Sequence, residues 1–277
     1  MRIAAGQTVL LTGASGGLGS VMTEAFARQR VNLALVAYPG AGLEDLRAAV
    51  VKGGGQAIAI TADLSKAARR HEVLDSVRKQ FGPIDILINN AGVEFTSAYH
   101  DLTEEQIGEV LAVNLEAPMI LSRLVLPEMI ERRKGHIVNM SSLAGKSGPA
   151  FQEPYAATKA ALVGFTSSLR ASYRGSGVSA SVIVPSFVEA GIYARLKARS
   201  GCEAPALLTG CSAEQVARAV LRAIEHDVPE IIVNRFPIRP VLALSALSPA
   251  LGDWISTRLG VHDFFRRVIA AEKRARA

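Results

Sequence analysis

The chain has 277 residues, 49% of them hydrophobic, with 31 Lys and Arg against 25 Asp and Glu, a net charge of +6. That composition supports a sizeable core and excludes a disordered or collagen-like chain. The charge carries no nucleic-acid motif or aromatic-basic interleaving, so no nucleic-acid partner is expected. Cys202 and Cys211 have no metal-site spacing and point to a reducing compartment. Met1 runs into a strand and turn rather than a secretory signal, so a cytoplasmic location is expected.

In chain order, hydrophobic patterning predicts strands over 7–12, 31–37, 56–61, 84–89, 136–140, 179–184 and 230–233. Helices are expected over 17–30, 43–52, 66–81, 103–114, 118–133, 155–174 and 213–226. Alternating strand and helix imply an α/β fold, a doubly wound parallel sheet with helices on both faces. The runs through Ile84, Leu87 and Ile88 and through Ile137-Val138 read as continuously apolar, as strands buried on both faces are. Nothing divides residues 1–235 into separate domains, and residues 236–277 form a C-terminal extension. Residues 236–251 are apolar but interrupted by Pro237, Pro240 and Pro249, which excludes a spanning helix. They read as a buried terminal extension, a lid or an interfacial segment. The basic helix that follows is either solvated or drawn to an anionic membrane surface.

Thr12-Gly13-Ala14-Ser15-Gly16-Gly17-Leu18-Gly19 lies between the first strand and first helix. Glycines let the backbone turn sharply and approach a ligand, and the helix N-terminus offers free N–H groups to a pyrophosphate. Asp63, followed by Leu64, ends the third strand; it is placed for an adenine amino group or to cap the next helix, a role Ser65 also fits. Asn89-Asn90-Ala91-Gly92 ends the fourth strand with small residues that leave room for a ribose. The second strand ends Val36-Ala37-Tyr38, without the acid that grips a ribose diol. That absence favours NADP(H) slightly over NAD(H).

Tyr155 and Lys159 are four apart and share a helix face. An ammonium beside a phenol favours the phenolate, lowers the tyrosine pKa and equips it for acid/base work. Ser141 and Ser142 lie one loop upstream.

Taken together, Thr12–Gly19, Asp63, Asn89–Gly92, Asn114, Ser142, Tyr155 and Lys159 resemble the short-chain dehydrogenase/reductase superfamily over about residues 7–234. The resemblance implies a Rossmann-like three-layer domain with a seven-stranded sheet of order 3-2-1-4-5-6-7, commonly in homodimers or homotetramers. It implies NAD(P)-dependent interconversion of an alcohol and a ketone. Tyr155 would be the acid/base, and Lys159 would lower its pKa and hold the nicotinamide ribose. Ser142 would polarise the substrate oxygen, and Asn114 would hold a water linking Lys159 to solvent. Pro185 and Val188, after the sixth strand, would flank the nicotinamide. Where the family has Pro-Gly and a later threonine, this chain has Pro185-Ser186 and Ala190, and alanine cannot bond the carboxamide. A catalytically idle dinucleotide sensor is the alternative. The tyrosine–lysine spacing does not fit an enoyl reductase.

The segment 185–211 is expected to be a variable loop over the substrate. It carries Ile192, Tyr193, Leu196, Leu207 and Leu208 among Arg195, Lys197 and Arg199. With Phe95, Tyr99 and Phe151 opposite, it implies a small hydrophobic carbonyl or alcohol substrate, lipid- or steroid-like.

Overall fold

The computed structural model describes residues 1–40 and 42–276, with side chains as far as residue 274. Among these, seven parallel strands form one sheet of order β3-β2-β1-β4-β5-β6-β7. They are β1 (Thr8–Thr12), β2 (Asn32–Ala37), β3 (Gln56–Thr61), β4 (Ile86–Asn89), β5 (Gly135–Met140), β6 (Val178–Pro185) and β7 (Glu230–Val233). Every residue of β1, β4 and β5 is buried. Side chains alternate across the pleat, so one strand supplies both cores. Val9 and Leu11 of β1 join Met22, Phe26, Val216 and Val220 on one face. Leu10 joins Val73, Leu74, Leu121 and Val125 on the other.

The first face carries α1 (Gly17–Ala27), α2 (Leu43–Lys52) and α8 (Ala213–Glu225). The second carries α3 (Ala67–Phe81), α4 (Glu104–Leu111), α5 (Ala117–Glu131) and α6 (Glu153–Ser172). Helix α1 ends three residues before the expected 30, because Arg30 takes a left-handed turn conformation. Strand β4 begins two residues after the expected 84.

The two helices expected over 103–114 and 118–133 are one continuous helix. A π turn, Ala112–Glu116, joins α4 to α5. Pro118 has no N–H for the carbonyl four residues back, and the ladder skips a residue there instead of stopping. This helix is apolar and long enough by composition to cross a bilayer. Val110, Leu121, Val125 and Met129 are nonetheless buried in the protein, so one side of it is core.

Three elements lie outside the sequence-based expectations. Residues placed in a loop form α7 (Gly191–Ser200). The proline-containing tail forms α9 (Arg239–Leu247) and α10 (Pro249–Arg258). Pro240 and Pro249 occupy first turns, where a missing N–H costs nothing. None of residues 236–251 is buried, so this stretch is not a buried extension. Burial begins with α11 (Val261–Arg276), whose Phe264, Phe265 and Val268 pack against Tyr193 and Leu196 of α7. Burying each of those two phenylalanines contributes about 1.5–3 kcal/mol to docking α11.

Candidate active site

The glycine turn follows β1 directly. Gly13 has φ +66°, and a Cβ there would lie 2.8 Å from the Cα of Ala91. At Gly19 a Cβ would run into the carbonyl of Gly13 and lie 2.7 Å from the Cα of Ala14. At Gly17 it would lie 2.7 Å from the backbone nitrogen of Gly191. Gly16 is the N-cap of α1 and no side chain caps that end, so the first N–H groups remain free for an anion. The turn is tied to the end of β4. Thr12 Oγ1 accepts from the backbone N–H groups of Asn90 and Ala91, both at 3.0 Å. Asn90 Nδ2 donates to the carbonyls of Thr12 and Gly13 at 3.0 and 3.1 Å.

Asp63 Oδ1 accepts from Ser65 N at 2.9 Å. That is a local Asx turn; neither Asp63 nor Ser65 caps α3, whose N-cap is Lys66. The turn is held from behind by Arg70, a fully buried guanidinium. It donates to the carbonyls of Leu64 and Ser65 and to Glu116, at 2.7, 3.1 and 2.8 Å. No motif marks Arg70 for this role. Ala37 is 4% exposed at the end of β2, whereas Tyr38 is exposed.

Lys159 Nζ donates to the Met140 carbonyl at 2.9 Å and lies 5.4 Å from the centre of the Tyr155 ring. Burial pushes the amine down to about 8. Burial also pushes the Tyr155 phenol up to about 12, opposed by a hydrogen bond with Ser142 and reinforced by the charge of Glu94. Burial thus favours the neutral phenol, which is protonated at neutral pH. The two serines separate by role. Ser141 is buried and donates to the Lys159 carbonyl at 2.7 Å, pinning α6 to β5. Ser142 faces the cleft, its Oγ accepting from Ala144 N at 3.2 Å.

Asn114 lies in the π turn, fully buried. Its Oδ1 accepts from Val93 N and its Nδ2 donates to Val93 O, both at 2.8 Å. It stands behind the cleft wall rather than on it, clamping the chain beyond Gly92. A Cβ on Gly92 would lie 3.4 Å from Asn114 Oδ1 and 3.6 Å from Lys159 Nζ.

One cleft of about 690 Å³ joins these parts. Its wall holds Gly13, Ser15, Gly16, Gly17, Leu18, Gly19, Ala37, Tyr38, Asp63, Leu64, Asn90, Ala91 and Gly92. It continues through Ser142, Tyr155, Lys159, Pro185 and Val188. Beyond them Ile192, Tyr193, Leu196, Leu207 and Leu208 line an apolar end. Phe95, Tyr99 and Phe151 are not on that wall. Tyr99 is exposed and Phe151 packs against the α7–α11 cluster. The facing wall comes instead from Leu143, Pro149, Val241, Leu242, Ile255 and Phe265, so the C-terminal helices complete it.

Glu94 was also missed by sequence reasoning. Its side chain is 5% exposed. It accepts from Thr96 Oγ1 at 2.5 Å and from Gln152 Nε2 at 2.9 Å. Burial pushes its carboxyl above the usual range, against those bonds and Arg199.

The cradle fits a dinucleotide. Side chains at Gly13 and Gly19 would collide with fixed backbone, uncapped N–H groups face the cleft, and no carboxylate stands at the end of β2. Ala190 closes toward Gly17 with its own N–H turned onto the Val188 carbonyl at 2.6 Å.

The sequence model for the short chain dehydrogenase family matches residues 7–200. The ketoacyl reductase HetN of Nostoc sp. is 38% identical over 264 residues, 94% of this chain and 91% of that protein. The 17-beta-hydroxysteroid dehydrogenase 13 of Rattus norvegicus is 33% identical over 190 residues, 68% of this chain and 63% of that one. The crystal structure of a metagenomic short-chain oxidoreductase in complex with NADP superimposes with a TM-score of 0.72 at 28% identity, covering 84% of this chain and 98% of the other. With that match, a seven-stranded sheet in the expected order and a glycine cradle beside Tyr155 and Lys159, the chain belongs to the short-chain dehydrogenase family of oxidoreductases.

Proposed function

We propose that this chain interconverts a secondary alcohol and a ketone on a hydrophobic substrate, with NADP(H) preferred over NAD(H). The observation that carries the proposal is the meeting of Ser142, Tyr155 and Lys159 on the wall that also holds Gly13–Gly19. The turn Gly13–Gly19 would hold a dinucleotide, whose nicotinamide would supply the hydride. The chain supplies the proton and the orientation. Tyr155, protonated at neutral pH, donates its phenolic proton to the carbonyl oxygen as negative charge gathers there. Ser142 Oγ takes its own hydrogen bond from Ala144 N, which leaves its hydroxyl proton for the substrate oxygen. Lys159 steadies the phenolate left behind, and Asn114 keeps Gly92 close to the amine. In the oxidative direction each transfer reverses.

The acid-free end of β2 supports NADP(H), as does the NADP-bound structural neighbour. The apolar far end of the cleft supports a lipid- or steroid-like substrate, in keeping with the names of the ketoacyl and hydroxysteroid relatives. Met119, Leu124 and Ile130 of α5 form an apolar patch with Phe165 and Leu169 of α6, which supports a homodimer or homotetramer built on that helix pair. Two free thiols favour a reducing, cytoplasmic compartment.

Fluorescence titration with NADPH and NADH, followed by turnover of bulky ketones and secondary alcohols, tests the proposal. Saturable NADPH binding with ketone-dependent oxidation is expected. Binding without turnover of any carbonyl would make the chain a dinucleotide sensor.

A further inference from the structure

Helices α9 and α10 pack on each other as a hairpin that has no buried residue among those described. Leu247 is 84% exposed and Trp254 56%, with Leu244 and Leu251 also open. Between Arg239 and Asp253 the sequence has no charged residue. An exposed, uncharged, leucine-rich hairpin of this kind is unfavourable in water and marks an element that something covers.

Charge identifies the cover. Over residues 235–258 the sequence carries Arg235, Arg239 and Arg258 against Asp253 alone. Arg258 lies over the Trp254 ring at 5.5 Å, and Arg235 over the Phe236 ring at 5.4 Å. A second copy brings the same arginine excess and so offers no charge complement to it. A bilayer with anionic head groups satisfies every part. Leucines enter the acyl boundary, tryptophan sits at the interface, and guanidinium groups meet phosphate.

The inner side of the same hairpin lines the substrate end of the cleft through Val241, Leu242 and Ile255. We infer that α9 and α10 dock on an anionic lipid surface and open the cleft toward it, so that an apolar substrate reaches Tyr155 from the bilayer. The route rests on the apolar-substrate reading above; the docking does not.

The test is co-sedimentation of the full chain with phosphatidylcholine vesicles and with vesicles that also contain phosphatidylglycerol. The expected result is pelleting with the anionic vesicles, weak pelleting with the neutral ones, and a severalfold loss of pelleting in high salt, where the Debye length shrinks to about 3 Å. The double variant Leu247→Glu, Trp254→Glu, altered only at exposed positions off the cleft wall, loses at least ~10-fold in vesicle affinity, since charges at membrane depth are costly. It keeps wild-type turnover of a small water-soluble ketone. Equal pelleting of variant and wild type, or none by either, overturns the inference. So does a wild-type dimer that turns monomeric in the double variant without any vesicle binding, because a second copy is then the cover. Vesicle binding without turnover of any carbonyl sinks the oxidoreductase reading and leaves the docking intact.

Discussion

Nζ of Lys159 lies 5.4 Å from the centre of the Tyr155 ring and is held there by the carbonyl of Met140. The amine and the phenol share one wall of the cleft, and burial pushes each toward its neutral form: the amine down to about 8, the phenol up to about 12. The site is thereby poised with a protonated tyrosine, the form that donates to a carbonyl oxygen.

The buried lysine has a consequence for stability. Its folded pKa is depressed from 10.5, so between about 8 and 10.5 the unfolded chain binds more protons and stability rises with pH. Below about 8 the folded state carries the full cost of a buried ammonium. Lys159→Met removes that cost. The variant's thermal midpoint, relative to wild type, is expected to be higher near pH 7 than near pH 10. A difference that does not change with pH would show that the amine is not desolvated.

Glu94 tests the electrostatics from the other side. Its charge raises the Tyr155 phenol, while its bonds to Thr96 and Gln152 can be kept by an amide. Glu94→Gln is expected to shift the rising limb of the alcohol-oxidation pH profile, where the phenolate forms, to lower pH with little change in Tm. An unmoved limb would mean that the carboxylate does not reach the phenol.

The glycine turn allows a paired comparison. A Cβ at Gly16 meets only the Gly13 carbonyl at 3.4 Å, whereas one at Gly19 meets the Gly13 carbonyl and Ala14 backbone far closer. Gly16→Ala should fold with stability near wild type. Gly19→Ala should lose about 1–3 kcal/mol or more in urea unfolding, the cost of overpacking against rigid backbone, together with dinucleotide binding. Equal behaviour of the two would refute the close approach.

Ala37 ends β2 on the cleft wall and is almost fully buried. Ala37→Asp places a carboxylate where a ribose 2′-phosphate would be repelled and a 2′-hydroxyl accepted. The KM ratio of NADPH to NADH should rise at least ~10-fold, the discrimination that about 1.4 kcal/mol provides. No change would place that position away from the ribose.

Much of this was legible in the residues. Strands β3 and β7 and helix α2 fall at their expected boundaries, because apolar runs there are closed by glycine or charge. Tyr155 and Lys159 could be placed together because their spacing puts them on one helix face, and Ser142 joins them through the family resemblance. Helix α7 was hidden because only Tyr193 and Leu196 of its residues are buried, too few to show a periodic stripe. Helices α9 and α10 were hidden by prolines that break a helix in its interior but start one at its first turn. Arg70 and Glu94 left no trace, since an isolated charge in a sequence does not say whether it is buried. Spacing likewise reveals the cation beside Tyr155 but not the burial that raises the phenol.

The most direct measurement is made on Tyr155→Phe. The substitution removes one hydroxyl and leaves the glycine cradle, Lys159 and Ser142 in place. NADPH should titrate the variant's fluorescence as it does the wild type's, while ketone turnover falls by about 10²–10⁴-fold, the contribution of a positioned general acid. Turnover within a few-fold of wild type, with NADPH bound, would contradict the assignment of Tyr155 as the group that moves the proton.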